Sequence, residues 1–227
     1  DGLLDYIHTS SSDAREVYTY NSDGTVASKT SIVWYNKAIP QTNTVEYERA
    51  QRNDKVTTYK YNANKQITEE YTSELYSEKI DKKFGNTLVY SYFVWEKYRT
   101  SNQILYTYNS NGDITSKKTY VWFDKDIVDT LGRVQKEWGS RLDEEITYTY
   151  NSQGQITKEL VRKAEQEKRE TSSGKVYFEW VTHDAKETNY TYDANGNIKN
   201  KSTYVWYDQD SMTMSGLTYT RTKRLSE

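Results

Sequence analysis

Polar and apolar positions alternate along most of the chain, and in five places the alternation takes one form. Tyr18-Thr-Tyr20-Asn21-Ser-Asp-Gly24, Tyr59-Lys-Tyr61-Asn62-Ala-Asn-Lys65, Tyr106-Thr-Tyr108-Asn109-Ser-Asn-Gly112, Tyr148-Thr-Tyr150-Asn151-Ser-Gln-Gly154 and Tyr190-Thr-Tyr192-Asp193-Ala-Asn-Gly196 make the series. Two positions later comes an aliphatic residue: Val26, Ile67, Ile114, Ile156 or Ile198. Side chains alternate across a strand, so Tyr-x-Tyr puts two rings on one face. Asn or Asp then opens a turn by bonding to the backbone ahead, and Gly closes it with a positive φ. The aliphatic residue starts the return strand, where it packs across from a Tyr. The phrase therefore predicts a β-hairpin, with a four-residue connection built on a type I turn. Lys65 stands where the other phrases have Gly. Either that turn changes type or Lys65 carries a sparsely populated backbone, at a cost of roughly 1–3 kcal/mol.

A longer period lies over the short one. The second Tyr recurs in steps of 41, 47, 42 and 42 residues. After the first, third and fifth phrases comes an aromatic strand, 32–35, 120–123 and 204–207, whose tryptophans Trp34, Trp122 and Trp206 are 88 and 84 residues apart. Trp95 and Trp180 form a second series offset by 85. Gly132 and Gly216 each follow a Trp by ten residues. The repeat unit is a double hairpin, which divides a single β-repeat domain, 1–227, into 17–105, 106–189 and a partial 190–227. Turns are expected near Gly24, Asn43, Asn53, Asn62, Gly85, Asn102, Gly112, Gly132, Gly139, Gly154, Gly174, Gly196 and Gly216. The charged run 164–170 has helical propensity but no apolar stripe, and its alignment within the repeat reads it as an exposed strand. The expected fold class is all-β, with antiparallel β-hairpin repeats forming a long twisted or curled sheet of roughly 12–14 strands. Lys117, Lys118, Lys199 and Lys201 are expected to protect its edges against aggregation.

Composition sharpens this picture. Leu, Ile, Val and Phe supply only 39 of 227 residues, a level low enough to raise the question of disorder. Against disorder stand a net charge of −2, 23 Tyr and 6 Trp, because disordered chains are charged and poor in aromatics. Tyrosine takes over the packing that aliphatic residues do elsewhere. With no cysteine and two histidines, His8 and His183, disulfides, thiol nucleophiles and Cys or His zinc sites are excluded or disfavoured. No cofactor is expected, no apolar run is long enough for a transmembrane helix, and balanced charge argues against a nucleic-acid partner. A start at Asp1 instead of Met is the pattern expected of a processed or trimmed chain.

The phrase Tyr190-Thr-Tyr192-Asp193-Ala-Asn-Gly196-Asn-Ile198 resembles the YD repeat of bacterial Rhs proteins and their relatives, whose core is Tyr-x-Tyr-Asp-x-x-Gly-x-Ile. The resemblance covers about nine residues in each of five stretches, four with Asn in place of Asp, and the spacing is about double that of the family. It implies a non-enzymatic β-repeat scaffold or binding protein in the bacterial cell envelope or outside the cell. The lack of cysteine is compatible with that location, and the partner would be an unidentified protein or glycan.

Two residue patterns carry candidate chemistry. Trp34, Tyr35, Trp122, Phe123, Trp206 and Tyr207 present aromatic surface on both faces of their strands. Such rings either form the core or stack on sugars, with the indole or phenol end hydrogen-bonded. The glycan-binding reading rests on these six. Asp124 with Asp126, and Asp208 with Asp210, follow two of the Trp strands. In a turn they would offer oxygen ligands to calcium, and as a carboxylate pair they are the remote basis for glycoside hydrolysis. Turn chemistry and solubility are the plainer account. The sequons at Asn189 and Asn200 match the glycosylation pattern, but such triplets arise readily in a Thr- and Asn-rich chain.

Overall fold

The computed structural model describes residues 5–7, 14–42, 44–84, 87–128, 134–170, 176–213 and 216–226. Twelve antiparallel strands, and no helix among the described residues, make one open sheet whose strand order is the sequence order. The strands are β1 (Asp5–Ile7), β2 (Ala14–Tyr20), β3 (Val26–Pro40), β4 (Val45–Tyr61), β5 (Ile67–Phe84) and β6 (Thr87–Tyr108). They continue as β7 (Ile114–Val128), β8 (Val134–Tyr150), β9 (Ile156–Glu170), β10 (Val176–Tyr192), β11 (Ile198–Thr213) and β12 (Gly216–Leu225). Two compact units divide the chain, Asp1–Gln103 and Ile104–Glu227. The run 164–170 is strand, as its alignment predicted.

The five phrase turns share one geometry. In the first, Asn21 N–H donates to Thr25 O at 2.8 Å and Gly24 N–H donates to Asn21 O at 3.0 Å. This is a type I turn closed by a left-handed residue, which gives the three-residue bulged loop and not the four-residue connection expected. The extra residue twists the strands in the sense the sheet requires. Gly24, Gly112, Gly154 and Gly196 have φ of 84°, 89°, 78° and 84°, and Lys65 adopts 60° without any change of turn type. The lysine gains a partner in return, since its Nζ donates to Asp23 O of the neighbouring turn at 2.8 Å. Asn62 Oδ1 accepts from the N–H groups of Asn64 and Gln66, both at 3.0 Å. Asn109, Asn151 and Asp193 repeat that pattern.

Strand pairing divides into a platform and projecting arms. Beside the phrase turns a second ladder is added, β4 with β5 over 55–61 and 67–74, β8 with β9 over 144–150 and 156–163, and β10 with β11 over 186–192 and 198–205, so that 55–58, 144–147 and 186–189 pair on both sides. Past Lys55–Glu74, Glu144–Lys163 and Lys186–Val205 those ladders stop. Hairpins β3–β4, β7–β8, β9–β10 and β11–β12 continue alone as two-stranded arms. A bulge sits at three of these forks, leaving Asp54, Asp143 and Ala185 without an opposite residue. The expected turn at Asn53 is therefore a fork inside β4, where Asn53 lies opposite Ile32. Gly216 opens β12 opposite Thr213, at the β11–β12 connection where its turn is expected, whereas Gly139 lies inside β8 opposite Phe123 and Asn102 lies inside β6. At Asn53, Asn102 and Gly139 long cross-strand pairing overrides local turn preference. Asn43, Gly85, Gly132 and Gly174 fall outside the described residues. Lys117 and Lys118 are not edge residues: they lie in interior strand β7, opposite Ile146 and Glu145.

Tyrosine holds the platform together. Tyr61 donates its hydroxyl to Val26 O at 2.8 Å, Tyr150 to Ile114 O at 2.7 Å, and Tyr192 to Ile156 O at 2.7 Å. In each case the second Tyr of a phrase clasps the aliphatic residue that opened the preceding return strand. The first Tyr of four phrases lies opposite a charge: Tyr18–Lys29, Tyr59–Glu70, Tyr148–Glu159 and Tyr190–Lys201. Burial pushes the phenols of Tyr59, Tyr61, Tyr148, Tyr150 and Tyr190 above their ordinary range. Among the described residues only Val161, Thr57, Glu187, Thr188 and Thr203 are buried, and of these Thr188 alone is fully so. Opposed hydroxyls do some of the work of a core, as between Thr19 and Ser28 at 2.7 Å and Thr57 and Thr72 at 3.0 Å.

Candidate functional site: the aromatic arms

Each aromatic strand leaves the platform at a fork, so its side chains stand on an arm with one face toward a neighbouring arm. Trp34 is 43% exposed, Trp122 and Trp206 are half-buried, Tyr35 and Phe123 are half-buried, and Tyr207 is 40% exposed. Trp180 is also exposed on its arm, and the side chain of Trp95 lies outside the described residues. Within Ile104–Glu227, Trp122 and Phe123 lie on β7 and Trp206 and Tyr207 on β11, with β8, β9 and β10 between them in the sheet. The six candidates therefore do not form one cluster.

What the rings share is a cation. Arg52 lies 4.7 Å over Tyr35, Arg141 lies 5.6 Å over Phe123, and Arg224 lies 5.4 Å over Tyr207. Each arginine pairs across the hairpin with the valine before its ring: Val33–Arg52, Val121–Arg141 and Val205–Arg224. The guanidinium thus reaches the next ring on the same face, where the ring quadrupole attracts it. At the first two forks an aspartate two residues on holds the guanidinium, Asp54 at 3.0 Å from Arg52 and Asp143 at 2.9 Å from Arg141. The Trp faces carry cations as well, Arg49 at 5.3 Å from Trp34 and Lys223 at 5.6 Å from Trp206. None of these partners was identified among the sequence candidates. The signal for the three arginines was present, because Arg52, Arg141 and Arg224 follow Trp34, Trp122 and Trp206 by 18 or 19 residues.

The arms use these groups to pack on one another. Arg141 lies 3.6 Å over the ring of Trp180 on β10, and Phe123 meets that ring edge to face with centroids 6.5 Å apart. Arg221 of the last arm donates to Asp184 O at 3.0 Å and to Glu165 Oε2 at 2.8 Å. Below that contact Glu187 forms a buried hub: it accepts from Asn189 at 3.0 Å and from Lys223 at 3.2 Å, and Lys158 stands at 2.9 Å. The Asn189 hydrogen bond, with help from the two lysines, holds the Glu187 carboxyl down at about 2.

Within Asp1–Gln103 the packing leaves an opening. Tyr90 donates to Gln41 O at 2.9 Å and Tyr98 donates to Asn53 O at 2.7 Å, which ties β6 to the β3–β4 arm. Near them lies a cleft of about 310 Å³ lined by Tyr35, Lys37, Ala38, Pro40, Tyr92, Phe93 and Val94. Phe93 is 56% exposed, and Lys37 pairs with Glu48 at 3.3 Å. Rings beside a charged pair suit a ligand with an apolar ring face and a polar rim. Tyr35 is the one sequence candidate that lines it. Tyr92 and Phe93 come from 57 and 58 residues away, a separation that neither repeat period encodes.

The aspartate pairs stand differently from expectation. Asp124 and Asp126 lie within β7, and Asp208 and Asp210 within β11, so both pairs are on strands and not in turns. Asp124 is exposed, and the side chains of the other three fall outside the described residues. No group of three or more His, Cys, Asp or Glu side chains comes together among the described residues. Among those residues no helix is long and apolar enough to cross a membrane.

No family model matches the chain, and no curated protein matches it. Among solved structures it is similar to a porin-like protein from Bacteroides uniformis ATCC 8492, at 11% identity and a TM-score of 0.18, covering 98% of this chain and 96% of that one. It is also similar to TcdB2-TccC3-TEV, at 13% identity and a TM-score of 0.13, covering 99% of this chain and 15% of that one. At these scores neither likeness carries an assignment.

Proposed function

We propose that the chain is a non-enzymatic extracytoplasmic scaffold or binding protein built from YD-like hairpin repeats, as the resemblance to Rhs proteins implies. The observation that carries this reading is the recurring tyrosine clasp from Tyr61, Tyr150 and Tyr192 to the preceding return strand. The repeated residues are engaged in joining hairpins side by side, and the aromatic strands engage arginines of their own hairpins, of which Arg141 also reaches Trp180 on the next arm. A repeat whose invariant parts are all spent on assembly is suited to extending a surface.

The cleft beside Tyr35 favours a second reading, a glycan-binding module in which Tyr35, Tyr92 and Phe93 offer ring faces and Lys37 a cation. A glycan array probed with the wild type and with Trp34→Ala, Trp122→Ala, Trp206→Ala, Tyr35→Ala and Phe93→Ala separates the two. The scaffold reading expects no array ligand, with the substitutions lowering stability only. A glycan retained by the wild type and lost in Tyr35→Ala and Phe93→Ala proteins that remain folded would establish the glycan reading in its place.

A further inference from the structure

Strands β5 and β6, neighbours in the sheet, reach further than the arm beside them. Along β6, Tyr98 bonds to the carbonyl of Asn53 at the fork of the β3–β4 arm, and Tyr90 bonds to that of Gln41, where the arm turns back. β6 thus runs the length of that arm, and the residues before Tyr90 lie past its end. The ladder of β5 with β4 has already stopped at Glu74. The end of the β5–β6 hairpin stands clear accordingly: Phe84 is 85% exposed, and Leu88 and Val89 are exposed as well.

The repeat does not call for this extension. Tyr61 and Trp95 are 34 residues apart, whereas their counterparts Tyr150 and Trp180 are 30 apart, so the hairpin is longer than its counterpart by four residues. Hairpin β9–β10 ends in Arg169-Glu170-Thr-Ser-Ser-Gly174-Lys175, without an apolar side chain. An apolar end needed for packing within the sheet would recur with the unit, and this one does not.

Ser91 Oγ donates to Asp81 Oδ1 at 2.7 Å, so these two side chains share a face of the hairpin. Side chains alternate, which puts Lys83 and Val89 on that face and Lys82, Phe84 and Leu88 on the other. Each face therefore carries apolar groups at the end and a lysine beside or behind them. Lys82 and Lys83 lie about 3–7 Å behind Phe84 along the strand. Over residues 79–90 there are three lysines and one aspartate. Asp81 is taken by Ser91 and by Lys79 at 3.2 Å, and Lys82 and Lys83 make no ion pair among the described residues. On the end of the neighbouring arm Glu46 accepts from Gln41 at 3.4 Å, and Glu48 pairs with Lys37 at 3.3 Å.

We propose that this hairpin end, residues 82–84 with Leu88 and Val89, docks the chain on an anionic lipid surface. The three apolar side chains enter the boundary between headgroups and acyl chains, and the two lysines extend their stems along them to the headgroup phosphates. A protein surface would meet one face of the hairpin, whereas a bilayer takes in both. So small an apolar end with two charges gives a weak, reversible contact. The docking does not depend on the scaffold reading, to which it adds a point of attachment.

Sedimentation with vesicles tests it. The wild type is expected to bind vesicles of phosphatidylcholine and phosphatidylglycerol at millimolar lipid, and to bind phosphatidylcholine alone far less. The double variant Lys82→Gln, Lys83→Gln should lose about 10–30-fold in binding to the mixed vesicles. Phe84→Ser with Leu88→Ser should lose about tenfold or more, with far-UV circular dichroism unchanged. Because the chain has no cysteine, Leu88→Cys can carry a single nitrobenzoxadiazole label. Its emission should shift to the blue on mixed vesicles, while the same label at Ala63→Cys, in the turn at the opposite end of β5, should not move. A wild type that stays in the supernatant overturns the proposal and leaves the hairpin end to a protein partner. Binding that ignores both double variants, or a Leu88 label that stays in water on bound protein, overturns it equally.

Discussion

A tyrosine in this protein has two separable roles, and they differ in what they contribute. The ring of Tyr150 covers apolar surface, while its hydroxyl holds Ile114 O at 2.7 Å. Tyr150→Phe keeps the first and removes the second, so urea denaturation should find about 1 kcal/mol lost. Tyr47→Phe, at a side chain 62% exposed, should change stability by less than about 0.5 kcal/mol. Gly154 isolates the backbone contribution, because its φ is +78° and an added Cβ would meet nothing within 4 Å. Gly154→Ala should therefore cost about 1 kcal/mol from left-handed strain alone. Glu187 isolates electrostatics. Its carboxyl lies at about 2 instead of 4.5, so folding gains stability above the unfolded value and loses it as pH falls from there toward 2. Stability measured against pH should show a loss of roughly 2–3 kcal/mol across that window. Glu187→Gln should flatten the loss, being less stable than the wild type at neutral pH and nearly equal at pH 2.

The hairpin is the element the sequence states most openly. Tyr-x-Tyr, the Asn or Asp opening and the left-handed closing residue all lie within nine positions, so local physics suffices to place them. Even Lys65 follows, because its neighbours impose the turn and its ammonium finds Asp23 O. The forks were not legible. A strand paired on one side looks the same in sequence as one paired on both, and Asn53-Asp54 and Gly139 carry turn-like residues in the middle of long ladders. The arm contacts were hidden for a related reason. Arg141, Phe123 and Trp180 come from three strands, and which faces meet depends on the forks. Arg141→Ala removes the Asp143 ion pair and the stacking on Trp180 and Phe123, and should cost about 1–2 kcal/mol. The Trp180 indole NMR resonance should move as the two arms separate. Arg141→Lys keeps the charge without the planar stack and should fall between the two.

At the scale of the whole molecule, the shortage of aliphatic residues is matched by a core spread along the platform. Hydroxyl pairs, tyrosine clasps and the Glu187 hub stand where a globular domain would gather leucines. Stability should then follow pairing: platform strands carry ladders on both sides near the forks and tyrosine clasps beside the turns, whereas two-stranded arms are marginal by themselves. Local opening reports that difference directly through amide exchange. Residue-resolved hydrogen–deuterium exchange on the wild type should find strong, uniform protection over 55–61, 67–74, 144–150, 156–163 and 186–192. Protection should be weaker past the forks, over 34–51 and 122–140. Arms protected as strongly as the platform, or a platform that exchanges first, would contradict a fold organised by the tyrosine-clasped strands.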